Sequence, residues 1–231
     1  MRNSLFFLAH NSFTWGDLAV NEGYLSFWIM IMAFILMTTG WAEYVGAGRS
    51  KLIVAVLCLF AQPFHYHVTI YGTAVEIYAS IMIVAVAVCW SFRRGAGGES
   101  RRYLLLCACL TGIILGAIQK LYRLDPVFFW LDPAWDGGLL GGLLVAAFSV
   151  KPGHQFGILL LAAAMAELAN GLLSSGTYMA RIGSLAWWDS FWLAFACARL
   201  ISIAFHLLRA SYSKVAGAEA GWRNKGGSSP K

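Results

Sequence analysis

The sequence predicts an all-α fold, a polytopic transmembrane helix bundle of about seven spans with its N-terminus outside and its C-terminus in the cytoplasm. Three observations predict it. Of 231 residues, 59% are hydrophobic and 12% are charged, against roughly 45–50% and about 25% in soluble domains. The apolar residues fall in runs of about twenty, the length that a helix rising ~1.5 Å per residue needs to cross a hydrocarbon core ~30 Å thick. The basic residues between runs divide unequally over the two sets of loops, as topology-setting charges do.

The chain begins Met1-Arg2, and a short apolar stretch at residues 5–9 breaks at His10, Asn11 and Ser12. That is less than the apolar core of about 7–15 residues and cleavage site of a signal peptide, so the segment is expected to be retained at the interface. The first three runs are residues 24–42, 52–71 and 73–92, the last two joined at Gly72 as a tight hairpin of helices. The fourth is 103–121, the fifth lies within 127–150, the sixth is 156–173 and the seventh 185–208.

The fifth run is irregular. Asp125-Pro126 and Asp132-Pro133 each offer an N-cap carboxylate before the residue favoured at the first helical position. Two starts so close predict a short interfacial helix around Phe128, Phe129 and Trp130, then the span proper from Pro133. Gly137, Gly138, Gly141 and Gly142 follow as overlapping pairs of small residues that let a neighbouring helix approach closely. Residues 1–210 thus form the bundle, and 211–231, rich in Gly, Ala, Ser and basic residues, are expected to be a disordered cytoplasmic tail.

Arg49, Lys51, Arg93, Arg94, Arg101, Arg102, Lys151, Arg209, Lys214, Arg223, Lys225 and Lys231 fall on one side of this layout. Arg2, Lys120, Arg123 and Arg181 fall on the other, and Arg199 lies inside the seventh run. The richer side is cytoplasmic by the positive-inside bias. The net charge of +6 therefore serves orientation and attraction to anionic headgroups, and nucleic acid is not an expected partner. The five cysteines all lie in apolar runs without a CxxC pair, which suits small core residues rather than a zinc site.

Ionisable groups inside a membrane cost about 2.5–3.5 kcal/mol at mid-bilayer, so they usually face the bundle interior and mark function. His65 and His67 fall toward the outer end of the second run and Glu76 in the first turn of the third. Asp136 and Asp189 lie near the outer ends of the fifth and seventh. Glu167 is deeper in the sixth, three residues from Asn170 and so on nearly the same helix face. This outward gathering predicts a polar vestibule for a small solute, cation or proton, with histidine, which titrates near pH ~6.5, making it pH-responsive. Arg199 is expected to pair with Glu167 across the sixth and seventh helices.

On a helix His65 and His67 would point about 200° apart, so spacing supports neither a metal nor another cofactor unless Pro63 distorts the helix. No HExxH occurs, and the seventh run has no lysine for a retinal Schiff base. The expected role is non-enzymatic: a transporter or sensor acting through the outer cluster. Two alternatives stand beside it. One is an intramembrane metal-dependent enzyme; the other is an assembly partner whose glycine-rich fifth span docks another membrane protein.

The Gly40-Trp41-Ala42-Glu43 end of the first span, the small size and the row of short spans resemble the YphA-like membrane proteins of Gram-positive bacteria. The resemblance implies a multi-pass protein of the bacterial plasma membrane, with the lipid bilayer as its first partner. It carries over no catalytic or binding residue.

Overall fold

Helices dominate the computed structural model, which describes residues 22–39, 54, 57, 58, 60–70, 72–94, 101–128, 133–174 and 178–225. In order come α1 (Tyr24–Thr38), β1 (His65–Ile70), β2 (Thr73–Tyr78), α2 (Ala79–Arg94), α3 (Arg101–Leu124), a 3-10 turn (Pro126–Phe128), α4 (Pro133–Phe148), α5 (Pro152–Leu173), β3 (Ala180–Ile182) and α6 (Leu185–Lys225). Among the described residues three helices are long and apolar enough to cross a membrane: α3, α5 and the Leu185–Arg209 part of α6. Shorter apolar stretches, Ala79–Cys89 and Trp135–Phe148, lie in α2 and α4. Leu105, Leu106 and Ile113 on α3 and Leu200, Phe205 and Leu208 on α6 point out of the protein, as side chains solvated by lipid do.

Small residues bring the helices together. A Cβ built on Gly142 would lie 2.4 Å from the Ala194 carbonyl oxygen and 2.7 Å from Cys197 Cβ, and one on Gly138 would meet Ser190 O at 3.1 Å. Gly138 and Gly142 therefore seat α4 on α6. Gly137 and Gly141 turn instead toward Gln119 and Leu115 of α3. The close approach predicted for these glycines is thus made within the chain. On α3, Gly112 and Gly116 make the same kind of approach to Ala162, Met165, Ala166 and Ala169 of α5.

The fold is mostly helical rather than all-α. Helix precedes Pro63 only as far as Ala61, because the proline ring disfavours helical backbone at the residue before it. The chain then enters β1, which pairs antiparallel with β2, and β2 pairs parallel with β3. Ile70 pairs with Thr73, so the connection is a two-residue hairpin turn closed by Gly72 at φ 80°, a backbone region open to glycine. The hairpin foreseen at Gly72 exists, but its arms are strands. Val68, Thr69, Ile70, Thr73, Val75 and Ile77 are β-branched and suit a pleated surface.

Alternate residues of β2 and β3 divide by face. Thr73, Val75, Ala180 and Ile182 are buried, packed onto the end of α5, where Thr73 Oγ1 donates to Gly171 O at 3.3 Å. The opposite face carries the polar residues described below. The fifth run splits as expected, into the turn at Pro126–Phe128 and α4 from Pro133. α6 continues to Lys225, over residues expected to form a disordered tail. Extending an existing helix requires no new nucleus, and Ala216, Ala218 and Ala220 favour it. The N-terminal segment, the Gly40 to Glu43 stretch, Phe129, Trp130 and Asp132 lie outside the described residues.

Candidate functional site

The strand register builds the site. His67 pairs with Glu76 across the β1–β2 ladder, and Glu76 pairs with Arg181 across β2–β3, so the three side chains form a row across one face of the sheet. His67 Nδ1 lies 3.5 Å from Glu76 Oε1, and Arg181 Nε lies 3.5 Å from Glu76 Oε2. His65, two residues along β1, shares that face: its ring stands 4.9 Å from the His67 ring, edge to face, and 5.6 Å from the Tyr78 ring. Both histidines are exposed and Glu76 is buried.

The row continues into the helices. The backbone N–H of Arg181 donates to Glu167 Oε1 at 3.2 Å, and the Tyr178 hydroxyl donates to the same oxygen. Arg123, near the end of α3, lies 3.7 Å over the Tyr178 ring and donates to Ser174 Oγ at 3.3 Å. Burial, together with the Glu167 carboxylate, pushes the Tyr178 phenol up to about 12, against the opposing pull of Arg123. Tyr178 therefore stays protonated and remains a donor at ordinary pH. The result is one connected polar network, His65, His67, Glu76, Arg181, Glu167, Tyr178 and Arg123, at the end of the bundle where the sheet sits.

The structure thus gathers four of the sequence-predicted residues, His65, His67, Glu76 and Glu167. It places the other two elsewhere. Asp189 caps α1: its Oδ2 accepts from Gly23 N at 2.7 Å, and its Oδ1 accepts from Ser26 N at 2.7 Å and Ser26 Oγ at 2.6 Å. A carboxylate on the positive end of a helix is favourable. Asp136 is buried in the first turn of α4, the same kind of position. Asn170 is buried too, and its amide donates to Gln119 Oε1 of α3.

The expected Glu167–Arg199 ion pair is corrected. Arg199 donates to Val150 O at 3.0 Å and to Gln155 Oε1 at 3.1 Å, while Glu167 is held by Tyr178 and Arg181. Each group finds partners toward its own end of the bundle. Arg199 reaches the Val150 carbonyl just past the C-terminus of α4, where a helix dipole favours a cation. The buried Gln155 completes that cluster by donating to Ser149 O at 2.6 Å and Ser202 Oγ at 2.7 Å. Arg123, Tyr178 and Arg181 are members of the sheet-end network that sequence reasoning did not select. Arg123 and Arg181 did carry a signal, as two of the few basic residues on the sparsely charged side.

Outward apolar helices, interiors closed by small residues and a polar network at one end define a helical integral membrane protein. The chain belongs to the YphA-like integral membrane protein family, whose sequence profile matches residues 22–223. No curated protein and no solved structure matches it.

Proposed function

We propose that this is a multi-pass protein of the bacterial plasma membrane that binds a small cation, or a solute carrying one, at its sheet end, and acts there as a transporter or sensor. The observation that carries this reading is the convergence of His65, His67, Glu76 and Glu167 into one connected network. Two carboxylates and two imidazoles supply acceptor atoms, and strand register fixes His67 opposite Glu76. Arg181 touches both carboxylates, through its side chain and its backbone. A cation arriving at Glu76 competes with Arg181 and can shift the contacts that Arg181 makes to α5. That supplies a mechanical link from the exposed sheet to a membrane-capable helix.

The sheet end is the outer end in this reading, because Arg93, Arg94, Arg101, Arg102, Lys151 and Arg209 lie toward the opposite one, as the positive-inside bias requires. Binding is preferred to catalysis because the carboxylates and imidazoles of the network are groups that hold cations. The test is thermal stability of the purified protein in detergent across a panel of monovalent and divalent cations and from pH 5 to 8. Wild type is expected to shift with at least one cation or with protons, and Glu76→Gln to lose most of that shift. Equal shifts in the two proteins would reject the reading.

A further inference from the structure

Residues i and i+2 point apart on a helix and share a face on a strand. The replacement of helix by β1 therefore reverses what the spacing of His65 and His67 means. Both imidazoles stand on the face that carries Glu76, and one ligand atom from each of the three residues lies within 4.8 Å of the other two. Glu76 is positioned from behind: Arg181 engages Oε2, which leaves Oε1 toward His67. The two histidines are exposed, so the side opposite the buried carboxylate is open to an incoming ion.

We propose that His65, His67 and Glu76 form a binding site for one divalent transition-metal cation of the zinc class. The inference rests on the cation-binding reading above and names the cation. The donor set selects it, since imidazole nitrogen suits zinc and its transition-metal neighbours, whereas calcium and magnesium are held by oxygen ligands. Two imidazoles and one carboxylate are three protein ligands, which leave a fourth tetrahedral position for water or an exchanging ligand. Metal–ligand bonds of about 2.0–2.2 Å require the three atoms to draw together to roughly 3.4 Å. Rotation of the two exposed histidine side chains supplies that contraction without moving the sheet. Arg181 acts as a positioning residue: it orients the carboxylate, and its positive charge weakens the hold on a dication. The site is thereby suited to a metal that comes and goes.

The experiment uses full-length protein in detergent, stripped with chelator and purified without a histidine tag. Calorimetric titration with Zn2+ is expected to show one site, and Mg2+ and Ca2+ at the same concentration no heat of binding. Co2+ is expected to give the visible absorption of a low-symmetry site with nitrogen ligands. His65→Ala and His67→Ala are each expected to weaken Zn2+ binding at least tenfold and to abolish the Co2+ bands, while His206→Ala leaves both unchanged. The two histidines are exposed, so these variants are expected to fold as wild type, a condition checked by their elution in gel filtration. Absence of Zn2+ binding in wild type, or binding unaltered in the His65→Ala, His67→Ala double variant, overturns the metal site. If in that event the Glu76-dependent response to protons or monovalent cations persists, the broader reading stands. If that response is absent as well, both fall.

Discussion

Asp189 shows how a membrane carboxylate can be explained by structure alone. Its two oxygens take three hydrogen bonds from Gly23 and Ser26, so the first turn of α1 is capped by a residue distant in sequence. Loss of a capping side chain costs about 1–2 kcal/mol, and charge-assisted bonds lie at the upper end. Asp189→Ala is expected to lower stability by about that amount, read as a fall in melting temperature in detergent, without altering cation response. A lost cation response at unchanged melting temperature would return Asp189 to the binding site. Tyr178 offers a second test. Its phenol is raised to about 12 from an unfolded value near 10, so the folded state holds the proton more tightly. The stability this contributes is fully present below about pH 10 and is lost as pH climbs toward 12. Tyr178→Phe should remove that component of alkaline unfolding, and an unchanged profile between pH 9 and 12 would count against it. Sequence alone could single out Glu167 and Asp189 as costly groups, because burial in an apolar run is a local property. Which partner each would find was not legible, because Tyr178 and Gly23 reach them only through the fold.

For elements, what could be read depends on the range of the signal. The start of α4 follows from Pro133, and α3, most of α5 and the Leu185–Arg209 part of α6 follow from long apolar runs. The strands were missed because a long apolar run does not distinguish a helix from a strand that is followed by a helix. The signals present were Pro63, Gly72 and the β-branched residues around them. The glycines of α4 were legible as packing residues, yet the Gly112 and Gly116 pair of α3, with the same four-residue spacing, was overlooked. Their roles differ from that of Gly153, near the start of α5, where an added Cβ meets nothing within 4 Å. Gly142→Ala must push against the Ala194 carbonyl 2.4 Å away, backbone that cannot rotate aside. A cost of about 1–3 kcal/mol or more follows from such overpacking. Gly153→Ala is expected to be neutral or stabilising by up to about 1 kcal/mol, since alanine removes unfolded-state freedom. Comparable melting temperatures for the two variants would contradict the close α4–α6 approach.

Across the whole molecule the two ends differ in kind. One end holds the sheet, the histidines and a network in which Arg123 and Arg181 lie close to Tyr178, Glu76 and Glu167. The other holds Arg93, Arg94, Arg101, Arg102 and Lys151, with Arg199 directed toward the Val150 carbonyl and Gln155. This polarity was legible from loop charges, since the bias depends only on which residues flank the apolar runs. Translocating basic residues is opposed during insertion, so the proposed orientation keeps the end with more of them in the cytoplasm. The histidines and Glu76 would then meet the extracellular medium, where a sensor or transporter first encounters its cation. The expected result is labelling of Thr69→Cys, on exposed β1, by a membrane-impermeant maleimide in intact cells whose native cysteines have been replaced. Gly97→Cys, in the segment between α2 and α3, should react only after the membrane is permeabilised. Labelling of Gly97→Cys alone in intact cells would invert the bundle and turn the His65, His67 and Glu76 face toward the cytoplasm. The ligand set would survive that inversion, because it depends on strand register and not on orientation, but the cation would have to be drawn from inside the cell.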